Sequence, residues 1–184
     1  SLTVDADSLH FTATDGILYD KELTTVIRAV PALTGTVTLP ETVTTIVSAA
    51  FSWCDKITEL VLPEGLVTIG TSAFYEMSSL QTVTLPSTVE TMGSYAFYKT
   101  SSLTSIVIPE GVTTLNDYTF LGSTSLSSVT LPSTLTVINR AVFDGCSSLE
   151  SIIIPESVHT IRNHAFRGCG FTSVILPSGL TMID

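Results

Sequence analysis

Three kinds of side chain in this sequence are the types that carry out chemistry: thiols, imidazoles and aromatic rings. The thiols are Cys54, Cys146 and Cys169. A catalytic thiolate needs a partner base, and no histidine stands at a matching spacing. Cys146 and Cys169 are a distance apart that allows a disulfide once the chain coils back on itself, but the small or apolar residues at equivalent places favour two buried thiols. His159 and His164 flank Arg162, with His10 far away in sequence. A metal centre needs three or four converging ligands, so these histidines read as structural. Asp5-Ala6-Asp7-Ser8 has the carboxylate spacing of a calcium loop without its glycine or closing glutamate, and reads as a turn cap. Tyr75 and Tyr98 form one column and Tyr95 and Tyr118 another. Such rings could hold sugars between them, although packing between coils is the plainer use. No Gly-rich phosphate loop, nucleophile elbow or carboxylate pair is present, so neither an enzyme nor a cofactor is expected.

The word "column" rests on a repeat. Prolines fall at Pro40, Pro63, Pro86, Pro109, Pro132, Pro155 and Pro177, five intervals of 23 residues and one of 22. Phe51, Phe74, Phe97, Phe120, Phe143 and Phe166 follow the first six at a constant distance. A fixed period of this length marks a solenoid. Within one unit, Ile106 and Ile108 alternate with Ser105 and Val107, the signature of a strand with one face buried. The proline lacks an N–H and ends the strand. A second short extended piece follows, through Val112 and Leu115, and then an aromatic-anchored return. One unit offers six or seven apolar side chains, each worth about 1.5–3 kcal/mol on full burial. Ordering its backbone costs about 1–2 kcal/mol per residue. A single coil therefore cannot hold itself together, and stability must come from stacking.

The unit L-x-x-I-x-L-P-x-x-V-x-x-I-x-x-x-A-F-x-x-C resembles the BspA-type leucine-rich repeat of bacterial surface proteins. Leu80–Ser102 (LQTVTLPSTVETMGSYAFYKTSS) and Leu149–Cys169 (LESIIIPESVHTIRNHAFRGC) show it clearly. The resemblance implies a β-rich repeat solenoid, a right-handed leucine-rich-repeat superhelix with a parallel strand stack and short or no helices. It also implies an adhesive, non-enzymatic role at the cell surface or outside the cell. Residues 1–184 read as one array, with regular repeats over 37–184 and an atypical repeat over 1–36. That first repeat carries a hairpin insertion whose turn is Asp15-Gly16. Ser1 to Val4 look like the end of a preceding strand, and Ile183-Asp184 stop part-way through a coil. The expectation is a fragment of a longer protein.

Function is expected on the outward side of the strand before each proline. Thr38, Val61, Thr84, Val107, Thr130, Ile153 and Ile175 should line up there and meet a protein partner. The alternatives are a glycan module using Tyr75 and Tyr98, and a passive spacer for another domain. Val61, Val107 and Ile153 alternate with threonines, and Glu64, Glu110 and Glu156 alternate with Ser87 and Ser133, so the units also repeat in pairs. Pairwise duplication accounts for this without any function.

Composition fits this picture. Seven basic against 17 acidic residues give a net charge of −10, which excludes a phosphate backbone as partner. Residues 1–92 hold most of that charge. Ser and Thr number 53, more than twice the charged residues, so they supply the surface polarity that Lys and Glu give elsewhere. The longest uncharged run, Tyr118 to Asn139, is rich in Ser and Thr and contains Pro132, which is the wrong chemistry for a membrane span.

Overall fold

The computed structural model describes residues 2–184; of the Ser1 to Val4 strand end, Ser1 lies outside them. Fifteen short strands and no helix are found among the described residues. They are β1 (Phe11–Thr14), β2 (Ile17–Asp20), β3 (Thr25–Ala29), β4 (Gly35–Thr38), β5 (Thr45–Ile46), β6 (Ile57–Val61), β7 (Thr68–Ile69) and β8 (Thr82–Val83). There follow β9 (Thr91–Met92), β10 (Ser105–Val107), β11 (Thr114–Leu115), β12 (Ser128–Thr130), β13 (Val137–Ile138), β14 (Thr160–Ile161) and β15 (Met182–Ile183). The chain is a solenoid of β-coils. β1 and β2 form an antiparallel hairpin that closes at Thr14↔Ile17, leaving Asp15-Gly16 as its two-residue turn. Both turn residues have positive φ, 51° and 78°, as a type I′ turn requires.

Each regular coil has three sides. The front side precedes the proline: β4–β6–β8 and β10–β12 pair in parallel. The proline then opens a tight bend, its carbonyl accepting a hydrogen bond from the N–H three residues on. Pro63 and Leu66 do so at 3.1 Å, and Pro109 and Val112 at 3.0 Å. The back side follows. The second extended piece builds a parallel ladder of its own, β3–β5–β7–β9 and then β11–β13–β14–β15. Equivalent residues of successive coils face each other, as in Thr45↔Thr68↔Thr91.

The return side carries the most regular bonding. At each of five coil junctions three N–H groups donate to the following coil; for the third coil these are Ser72 to Ser94, Phe74 to Ala96 and Glu76 to Tyr98, at 2.8–2.9 Å. Two residues per coil are left-handed there. One column runs Ala49, Ser72, Tyr95, Tyr118, Ala141 and His164, and the other Trp53, Glu76, Lys99, Gly122, Gly145 and Gly168. The left-handed backbone turns alternate N–H groups toward the next coil. Beneath it the phenylalanines stack, Phe51 to Phe166, with centroids 5.0–5.9 Å apart. The first five are completely buried.

Two finer features have identifiable causes. Gly70 and Gly93 let consecutive coils approach so closely that a Cβ on Gly70 would lie 2.5 Å from the main-chain nitrogen of Ser48. The next residue in that column is Asn116, and there the back ladder breaks between β9 and β11. The Asn116 amide bridges the gap, donating to the Met92 carbonyl at 2.7 Å. The pairwise repeat also has a structural basis. The Glu110 carboxylate accepts from the Ser133 N–H and hydroxyl, and Glu156 does the same for Ser178. A glutamate bend thus holds the serine bend of the following coil.

Phe120 has a ring neighbour in the coil before and the coil after. Phe120→Ala should destabilise the chain by about 3–5 kcal/mol in urea unfolding, and a near-silent effect would remove the stacked column from its structural role.

Candidate binding surfaces

The front strands put alternate side chains outside. Thr38, Val61, Thr84, Val107, Thr130, Ile153 and Ile175 are all exposed, as are Thr36, Glu59, Thr82, Ser105, Ser128, Ser151 and Ser173. Apolar exposure grows along the array, from 42% at Val61 to 63% at Val107 and 88% at Ile153. Ile175 and Leu176 extend it. The ladder sets Thr38 opposite Val61 and Val107 opposite Thr130.

The stripe is not continuous, which departs from the uninterrupted strand stack that the repeat suggests. No front pairing joins the coils at 82–84 and 105–107, at 128–131 and 151–154, or at 151–154 and 173–176. Clefts lie at two of these three junctions. A cleft of about 530 Å³ separates Ser127–Leu131 from Ser151–Pro155. A second, of about 470 Å³, lies between Ser151–Glu156 and Ser173–Pro177. The return side of the first pair stays fully bonded. In the last pair the repeat is one residue short, and the final front segment is displaced from register.

The tyrosines use their faces on one another. Tyr75 and Tyr98 stack at 4.5 Å and 11°, and Tyr95 and Tyr118 at 4.6 Å and 16°. No ring-sized gap separates Tyr75 from Tyr98, so a sugar cannot enter between them. Lys99 lies over Tyr98 and Arg140 over Tyr118. Sequence reasoning overlooked Trp53, whose ring lies 5.5 Å from Tyr75. It precedes Tyr75 by 22 residues rather than 23, so a strict column comparison separates the two.

The cysteines have a structural task. Cys146 and Cys169 are free, and their thiols donate to the carbonyls of Phe120 and Phe143 in the coil before. Ser123 gives its hydroxyl to the Phe97 carbonyl in the same manner. In three of the six coils this column thus places a small donor on the aromatic's main-chain oxygen in the coil before. Burial pushes the Cys54 and Cys169 thiols up to about 11, and Cys146 higher still. His159, His164 and His10 are exposed. The Asp5 carboxylate accepts from the Asp7 N–H at 2.9 Å, which is a turn cap. Among the described residues no group of three or more His, Cys, Asp or Glu converges as metal ligands would, and no helix is long and apolar enough to cross a membrane.

This geometry, a stacked coil with a proline-ended strand and a buried aromatic, is that of a leucine-rich repeat solenoid. The pattern of the BspA type leucine rich repeat region matches residues 33–150 and 136–184 in six copies, and the chain belongs to that family. A comparison with curated proteins finds no match. Among solved structures the chain is similar to a leucine-rich repeat protein from Eubacterium ventriosum ATCC 27560, at 27% identity and a TM-score of 0.72. The match covers 94% of this chain and 52% of that one. A leucine rich cell surface protein from Faecalibacterium prausnitzii A2-165 is also 27% identical, with a TM-score of 0.67 over 91% of this chain and 55% of that one. A leucine-rich repeat protein from T. pallidum, 24% identical, shares the fold at a TM-score of 0.80, over 98% of this chain and 86% of that one. The chain spans about half the length of the first two of these.

The raised thiol values set a pH dependence. An unfolded cysteine ionises near about 8.5, while the native thiols keep their protons to about 11. The unfolded state then binds fewer protons, and stability falls as pH rises through that window. The urea midpoint should drop between about pH 8 and 10.5. Cys146→Ser with Cys169→Ser, which keeps both donors, should flatten the drop, leaving the shares of Cys54 and of Tyr19, whose phenol burial raises to about 12. An equal drop in the double variant contradicts the assignment.

Proposed function

We propose that the chain is a non-enzymatic binding module that holds a protein partner on its front face, at the cell surface or outside the cell. Residues 1–184 act as one array in this reading. The carrying observation is the row of exposed aliphatic side chains on every second coil, Val61, Val107 and Ile153, extended by Ile175. Isolated apolar residues are ordinary on a surface, but a row presented at a regular spacing by a repeat scaffold suits contact with a partner. Thr38, Thr84 and Thr130 between them supply hydroxyls to a polar periphery. The thiols support the non-enzymatic reading, because burial keeps them protonated and each donates to a carbonyl rather than facing solvent. The surface location draws on the family and on the Faecalibacterium relative, itself a cell surface protein.

Val107→Asp combined with Ile153→Asp leaves the core untouched, since both side chains point to solvent. The double variant should keep the wild-type circular dichroism and melting temperature and lose saturable retention of the partner by the immobilised chain. Failure to fold, or undiminished retention, would contradict the front-face reading.

A further inference from the structure

Trp53 is the chain's single tryptophan, and only one side of its ring is packed, against Tyr75. Its backbone is left-handed, with φ 67°. That conformation is costly for any residue with a Cβ, and three later coils place Gly122, Gly145 and Gly168 in the same column. Burial does not offset the cost, because 54% of the residue remains exposed. The left-handed backbone serves the bond from the Trp53 N–H to the Tyr75 carbonyl, as at each of the five coil junctions, and what sets Trp53 apart is a large, half-exposed ring at that place.

A groove of about 420 Å³ runs beside the indole across four coils, and Asp55, Glu76, Ser78, Lys99, Ser101 and Thr124 line it. At about 4.8 Å per coil it extends for roughly 15 Å. It combines an aromatic wall with hydroxyls and carboxylates, the arrangement that fixes a small polar ligand. Charge narrows the ligand class. Glu76 is paired with Lys99 at 3.4 Å, whereas the Asp55 carboxylate makes no ion pair or side-chain hydrogen bond among the described residues. The groove thus keeps an open acceptor and no unpaired cation, on a chain of net charge −10. With two carboxylates against one ammonium in the lining, an anionic ligand is disfavoured. A neutral sugar meets every condition: its C–H face packs on an aromatic ring, and its hydroxyls donate to a carboxylate and exchange hydrogen bonds with serine and threonine.

We infer that the Trp53 groove is a saccharide site, taking one pyranose of a neutral oligosaccharide on the indole and the following sugars along the coils. The site is separate from the front face and independent of the protein-binding reading. Tyr75 packs against the indole at 5.5 Å and 57° and lies outside the groove lining.

Trp53 is its own reporter. The intact chain is titrated with soluble cello-, manno-, xylo-, galacto- and chito-oligosaccharides, with sialyllactose as the anionic control, while tryptophan emission is followed. At least one neutral series should give a saturable change, and sialyllactose none. Trp53→Gly fits the left-handed backbone, so its melting temperature should match or exceed the wild type, while calorimetric binding of the responding sugar is lost. No saturable change with any neutral series, a response to sialyllactose alone, or undiminished binding by Trp53→Gly would overturn the proposal.

Discussion

The main-chain N–H and C=O groups on the three sides of each coil point largely along the axis of the array, where the neighbouring coil satisfies them, while the bends between sides close on themselves. Every other feature follows from this constraint. On the back side the parallel ladder carries bonds in both directions, with Gly70 donating to Ile46 among them. On the return side the bonds run one way, to the following coil, as Phe74 donates to Ala96. Because strand geometry alone would leave the return unpaired, the chain accepts left-handed residues there, even where these carry a Cβ. The Phe column lies under that complete ladder, so the strongest bonding and the tightest aromatic packing coincide.

The front side is bonded less completely, and it is where a partner is proposed to bind. Coils tied together on the return can separate at the front without losing the core. Clefts lie around Ser151–Pro155. Segments with few ladder bonds open most easily. Such a surface can adjust its apolar row to a partner while the return side holds the array. The groove at Trp53 lies on the bonded side and is correspondingly rigid. The two surfaces differ in character: one is a row of aliphatic side chains on parting coils, the other an aromatic wall on fixed ones.

The period was legible because proline and phenylalanine are distinctive residues in constrained positions. Pro109 ends a strand and opens a bend, and Phe120 fills a hole of its own size, so both columns persist where neighbours drift. The outward set from Thr38 to Ile175 follows from strand alternation alone. Other features left weaker traces. The left-handed columns are hidden because Ala49, Ser72 and Tyr95 occupy positions where glycine would have announced them. The breaks in the ladders depend on how closely two coils approach, which no sequence pattern shows. Glu110 and Ser133 were visible as alternating partners, but their bond needed the coordinates. The cysteine column looked like filler until Ser123, Cys146 and Cys169 were seen reaching equivalent carbonyls.

The excess of Ser and Thr over charged residues has the same origin. Hydroxyls are short enough to bond a carbonyl one coil away, as Ser127 does with Thr104 and Thr136 with Thr113. Longer charged side chains would spread across the coils. Amide hydrogen exchange tests the account most directly, because it reads each ladder separately. The Phe74, Phe97 and Phe120 amides should exchange only through global unfolding, and those of residues 151–154 on the front should exchange orders of magnitude faster. Front amides as protected as the phenylalanine amides, or phenylalanine amides exchanging as freely as those of a short peptide, would contradict the claim that the return side holds the array together.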